Sequence, residues 1–141
     1  MWTPSTPFAP PGSKLDLEEG VALTPKFDAN GLVTVITVDD ASGEVLMLAH
    51  MNAEALARTL ETGDAWYFSR SRNALWRKGE TSGHTQRVVE MRVDCDQDAI
   101  LIRVTQQGPA CHTNRRSCFY RVVEPGVDGA SLRITHAPNQ P

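Results

Sequence analysis

Three cysteines and three aspartates crowd one stretch of the chain, "VDCDQDAILIRVTQQGPACHTNRRSC" at 93–118. Fifteen residues separate Cys95 from Cys111, six separate Cys111 from Cys118, and no Cys-x-x-Cys pair occurs. The patterns of zinc ribbons and fingers therefore do not apply. An odd number of cysteines cannot close a disulfide framework either. Three thiolates on zinc would leave one coordination position open, the arrangement of a catalytic centre, where bound water has a pKa of about 7. Taken singly, each cysteine reads as a small buried apolar residue. The polar loop around Cys111, entered through Gly108-Pro109 and followed by His112, favours ligation for the set.

The aspartates pose a parallel question. If the strand that precedes them continues, Val89, Met91, Val93 and Cys95 share one face, and Asp94, Asp96 and Asp98 converge on the other. Like charges so placed repel unless a cation bridges them, and oxygen donors select magnesium or calcium over zinc. A solvated acidic turn fits the same residues. An EF-hand does not, because the sixth and twelfth positions counted from Asp94 are Ala99 and Thr105.

A third group lies upstream, in "SRSRNALWRKGETSGHTQR" (69–87). Guanidinium, ammonium, hydroxyl and backbone N–H groups hold phosphate. Arg70, Arg72, Lys78, Ser82 and His84 are the candidates for that work, with Arg115 and Arg116 as further cations beside Cys118. Trp66, Tyr67 and Trp76 could stack on bases, but a net charge of −3 argues against a dedicated nucleic-acid binder.

The elements that must carry these groups follow from patterning. The 141 residues suffice for one domain with a real core. Residues 1 to about 14 are Pro-rich and read as a flexible tail, 136–141 as another, and 15–135 as a single domain. The segment 15–31 reads as a short helical turn and a loop. "LVTVITVDD" (32–40) and "EVLMLAHM" (44–51) form a hairpin, and Asn52 caps a helix that ends at Gly63. "DAWYFSRS" is a strand, "LWRKGETSGHTQ" a polar loop, "RVVEMRVD" and "AILIRVTQQ" a hairpin across the Asp-rich turn, and "CFYRVVE" a last strand. The expectation is a β-dominant α+β domain of about six strands and one main helix, joined as antiparallel hairpins. No apolar run of about 18 residues is present to cross a membrane. The N-terminus does not read as a secretory signal, so a reducing, cytoplasmic setting is expected.

"LMLAHMN", "ETGDAWYFSRSRNALWRKGETSGHTQ", "VDCDQDA" and "GPACHTNRRSCFYR" resemble the phosphoribosyl-AMP cyclohydrolases of histidine biosynthesis, over about Leu32 to Val123. The resemblance implies hydrolytic opening of the adenine ring of N1-(5-phosphoribosyl)-AMP at its N1–C6 bond. It places Cys95, Cys111 and Cys118 on zinc ligands, Asp94, Asp96 and Asp98 on magnesium ligands, and His112 on the catalytic histidine. It further implies a homodimer whose zinc site draws cysteines from both subunits, and no second, fused domain. The zinc deaminase signature is absent. His50 and Asn114 depart from the pattern, which has Tyr and Gly there; Asn tolerates positive φ, so that turn can survive. The competing expectation is a zinc-stabilised nucleotide- or RNA-binding module without catalysis, closed by His84 or His112 as a fourth ligand.

Overall fold

The computed structural model describes residues 8–139. Its elements, in order, are α1 (Lys14–Glu19), β1 (Val33–Asp39), β2 (Val45–Met51), α2 (Ala53–Thr62), β3 (Trp66–Ser69), β4 (Ala74–Arg77), β5 (Gln86–Val93), β6 (Ala99–Gln106), β7 (Arg121–Gly126) and β8 (Gly129–Ile134). This is the expected β-dominant α+β class.

β-branched side chains set the centre. Val33 and Val35 of β1 and Ile100, Ile102 and Val104 of β6 are fully buried, and the two strands lie side by side in a four-stranded sheet ordered β2-β1-β6-β5. The pairs β1–β2, β3–β4, β5–β6 and β7–β8 are antiparallel, as hairpins require. β1 and β6 pair in parallel, from Thr34↔Ala99 to Asp39↔Val104. Such a pairing needs a long crossover, supplied by all of the chain between β1 and β6.

Helix α2 covers the core with Ala53, Ala55, Leu56 and Thr59. Asn52 Oδ1 accepts from Ala55 N at 2.8 Å, and Gly63 ends the helix in the left-handed region at φ 79°. Both bounds agree with the sequence reading.

Several boundaries move. The first three residues expected in the polar loop, Leu75 to Arg77, join Ala74 in β4, whose backbone groups are satisfied by pairing with β3. β7 begins at Arg121 rather than at Cys118, and β8 adds a strand that the sequence reading did not assign. Eight strands and two helices therefore replace about six and one. The face expected for Val89, Met91 and Val93 also breaks: the register slips between Val88 and Glu90. Val89 and Val93 are exposed, while Val88 and Met91 pack on the core. A bulge adds one residue and changes the alternation across it, which turns Val89 outward, while Val93 is exposed at the end of the strand.

The expected tails fall partly on residues 1–7 and 140–141, outside the described residues. Within them, Phe8 packs on Phe27 with ring centroids 6.4 Å apart, and Asn139 N donates to Asn114 O at 2.7 Å. No helix among the described residues is long and apolar enough to cross a membrane.

Candidate active site

The segment between β6 and β7 carries Cys111 and Cys118 and forms no regular element. It folds back on itself: Ala110 N donates to Arg116 O at 3.1 Å, Cys111 N to Arg115 O at 3.0 Å, and Asn114 N to Cys111 O at 3.0 Å. Asn114 takes φ 65°, the positive value its side chain tolerates. The loop is then fastened to β2, where Cys118 N donates to Leu46 O at 2.7 Å and Ser117 Oγ to Val45 O at 2.7 Å. A charged clasp completes the attachment. Arg116 Nη2 lies 2.6 Å from Oδ1 of the buried Asp39, which also accepts from the backbone and hydroxyl of Ser42. Burial alone would raise the Asp39 carboxyl, but the Ser42 and Arg116 bonds outweigh it and hold the group below the usual range.

This fastening brings two thiols close enough for each to shift the ionisation of the other. Cys111 is buried; burial would raise its thiol, yet bonds from Thr113, the Cys118 thiol and the charge of Lys78 lower it on balance. Thr113 Oγ1 sits 3.0 Å from Cys111 Sγ. Cys118 is exposed as a residue, but its sulfur is partly desolvated. That desolvation and the Cys111 thiolate push it up to about 11. Two sulfurs competing for one proton, with an ammonium at hand, make a soft donor pair suited to a thiophilic metal. Lys78 is half-buried there and donates to Ala110 O; burial lowers its ammonium against the pull of the two sulfurs.

Cys95 stands elsewhere. It lies in the turn that precedes β6, level with the start of β1, whereas Cys118 is bonded to Leu46, next to Val45, whose partner Val38 is level with Arg103. Four steps along β6 separate those levels, about 13 Å at 3.3 Å per residue. Zinc–sulfur bonds are about 2.3 Å long, so sulfurs sharing one ion lie within about 4 Å of each other. One chain does not bring its three thiols together.

The turn holding Cys95 gathers the carboxylates. Possible ligand oxygens of Asp94, Asp96 and Asp98 all lie within 4.8 Å of one another, the only such group among the described residues. They meet in a tight turn and not along a continuing strand: β5 ends at Val93, and Asp94 Oδ1 accepts from the backbone N–H groups of Asp98 and Ala99. Hydrogen bonds and repulsion from Asp94 and Asp96 push the Asp98 carboxyl up to about 6. Gln97, buried at φ 59°, anchors the turn: its side chain accepts from Thr24 N and donates to Leu17 O and Ala22 O.

The phosphate candidates divide. Arg70 and Arg72 line an open cleft of about 570 Å³ with His50, Phe68 and Trp76. Lys78 belongs to the thiol pair. Ser82 Oγ accepts from His84 N at 3.2 Å, and the His84 ring lies against Gly108, ahead of Cys111. Arg116 is occupied by Asp39 and Glu44. His112 is exposed beside the buried Cys111, with no hydrogen bond to its ring among the described residues.

Sequence reading missed a buried polar chain under the loop. Thr37 Oγ1 and Tyr67 OH lie 2.8 Å apart, Tyr67 OH donates to Gln86 Oε1, and Gln86 Nε2 donates to Gln106 Oε1 at 2.7 Å. Gln106 Nε2 then holds the carbonyls of His84 and Gln107. Polar residues at inward strand positions were its only signal.

A small sheet domain that fastens a thiol pair, a carboxylate cluster and a cationic cleft to its rims has the build of an enzyme that acts on a phosphorylated small molecule. The family model described as phosphoribosyl-AMP cyclohydrolase matches residues 47–120. Phosphoribosyl-AMP cyclohydrolase of Bradyrhizobium diazoefficiens is 69% identical over 122 residues, covering 86% of this chain and 87% of that protein. That of Nitrobacter winogradskyi is 66% identical over 86% of this chain and 83% of its own, and one from Rhodopseudomonas palustris 63% over 92% and 84%. The chain belongs to the phosphoribosyl-AMP cyclohydrolase family, a family of hydrolases.

Proposed function

We propose that the chain hydrolyses the N1–C6 bond of N1-(5-phosphoribosyl)-AMP in histidine biosynthesis, as a cytoplasmic homodimer that uses zinc and magnesium. The observation that carries the metal reading is the thiol pair with its missing third member. Cys111 and Cys118 share one loop, and Cys95 of a second copy would complete a three-sulfur set. Zinc held there would act as a Lewis acid that activates water at neutral pH. Asp94, Asp96 and Asp98 would hold magnesium, whose charge relieves the crowding that raises Asp98.

The remaining work falls to side chains. Arg70 and Arg72 bind phosphate oxygens, and Trp76, on the same cleft, offers an aromatic face to the purine or ribose. Alkylation at N1 makes the adenine ring cationic, so C6 accepts the oxygen of water. His112 takes the proton of that water and returns it to N1 as the N1–C6 bond breaks. One water is consumed, and the exocyclic nitrogen stays on the product as a carboxamide. In the isolated chain His112 is exposed, which leaves it free to face a second subunit.

The test is incubation of the zinc- and magnesium-loaded protein with phosphoribosyl-AMP, following ring opening by absorbance, with a chelator-treated sample beside it. Metal-dependent ring opening is expected. Full turnover after metal removal would overturn the metal role. Zinc binding without ring opening would favour the noncatalytic binding module.

A further inference from the structure

The end of β2 and the turn between β3 and β4 form the two walls of the 570 Å³ cleft. No carboxylate lines it. Neither Arg70 nor Arg72 has a carboxylate partner among the described residues, although most of the other arginines do. Arg72 is held in place by Ser69 Oγ, which accepts from its Nε at 3.4 Å, and by the Trp76 ring, 5.9 Å from its guanidinium carbon. Two uncompensated guanidinia on one open cleft suit a multiply charged anion.

The third basic group on the cleft is His50, from the opposite wall. Its charged surroundings come from both flanking segments. Partial burial first, and then Arg70 on the β3–β4 turn, disfavour its protonation, while Asp28, ahead of β1, favours it. Its partner across the sheet, Thr34 of β1, carries no charge.

We propose that His50 is a proton-dependent third donor to the phosphate ester held by Arg70 and Arg72, and so sets specificity for the phosphorylated end of the substrate. This rests on the phosphate role given to the two arginines above. The sign follows from charge. An entering phosphate offsets the repulsion from Arg70 and stabilises the imidazolium, so binding takes up a proton and tightens as pH falls. An amide at position 50 could still donate a hydrogen bond, but without proton uptake.

The test uses ribose 5-phosphate as a bare phosphate ester, with calorimetry on the wild type, His50→Gln and the Arg70→Ala/Arg72→Ala double variant. Phosphate itself titrates near pH 6, so the ratio of His50→Gln to wild-type Kd is the quantity to compare. That ratio should be near one at about pH 8 and about five- to tenfold at about pH 6, where the wild-type donor is charged. In NMR, addition of ribose 5-phosphate should also raise the pH at which the His50 ring titrates. A ratio that does not change with pH, or a His50 titration blind to the ligand, overturns the proposal. Wild-type binding by the double arginine variant removes phosphate from the cleft and overturns it as well. Turnover of phosphoribosyl-AMP is measured separately. Absent turnover with the His50 effect intact would sink the proposed activity and leave this site standing.

Discussion

Asp39 and His112 are carboxylate and imidazole groups put to opposite uses. Asp39 is buried and spoken for by Ser42 and Arg116. Its role is to hold the thiol loop against β1 and β2. Because its carboxyl is depressed when folded, its contribution to stability is present above the unfolded pKa, about 4, and is lost as pH falls through the lower folded value. Asp39→Asn should therefore lower the melting temperature at neutral pH and flatten its fall on the acid side. Thermal melts between about pH 3 and pH 7 check this; a variant with the wild-type acid slope would show that another group carries it. His112 has no such partners. His112→Ala should keep bound zinc while kcat falls about 10²–10⁴-fold, the usual contribution of a positioned acid–base group. Metal analysis beside kinetics decides, since zinc lost in step with activity would make the histidine a support for Cys111. Arg72→Ala should raise KM about tenfold or more, the loss of one charged hydrogen bond to phosphate. An unchanged KM in both the Arg70 and Arg72 variants would leave that turn a solvated surface.

At the scale of elements, the loop between β6 and β7 is shaped by a glycine that two constraints demand. Gly108 has φ 68°, and a Cβ there would come within 2.7 Å of the His84 ring. Gly31 has a similar φ of 76° with open space around it. Gly31→Ala should cost about 1–2 kcal/mol, the backbone penalty alone. Gly108→Ala adds the displacement of His84 and of the residues leading to Cys111, so it should cost more and also weaken zinc binding. Equal losses in the two variants, with metal affinity untouched, would contradict this account. The polar chain from Thr37 to Gln106 supports the same loop from below. Its members occupy inward strand positions where apolar side chains are the usual choice, and their hydrogen bonds to one another offset the cost of burial.

Seen whole, two features of the chain bear on the proposed dimer. Its third thiol is out of reach of the other two, and the β7–β8 hairpin is exposed along both strands. Val123, Leu132 and Ile134 share one uncovered face of that hairpin. A lone two-stranded hairpin is marginal in water, and the proposed second copy would cover it. Sharing of ligands makes a sharp prediction. Cys95→Ser and Cys118→Ser homodimers should each be inactive, yet mixing and re-pairing them should restore roughly a quarter of wild-type activity, because each mixed dimer keeps one intact site. No recovery after verified subunit exchange would place all the ligands of a site on one chain.

Much of this was legible in the order of residues. The β-branched run of β1, the Asn52 cap, the Gly63 stop and the clustered cysteines and aspartates are local signals, written within a few positions of the groups they govern. The chemistry of the donor types was readable for the same reason: a thiolate or a carboxylate brings its own preferences wherever it sits. What folding alone decided is long-range. The parallel pairing of β1 with β6, the slip at Val89, the sorting of Lys78 and Arg116 away from Arg70 and Arg72, and the place of His50 on their cleft depend on segments tens of residues apart. The separation of Cys95 from Cys111 and Cys118 has a different origin, for they lie close in sequence with β6 between them. An extended eight-residue strand carries the chain from one end of that sheet to the other, and proximity in sequence is spent crossing it.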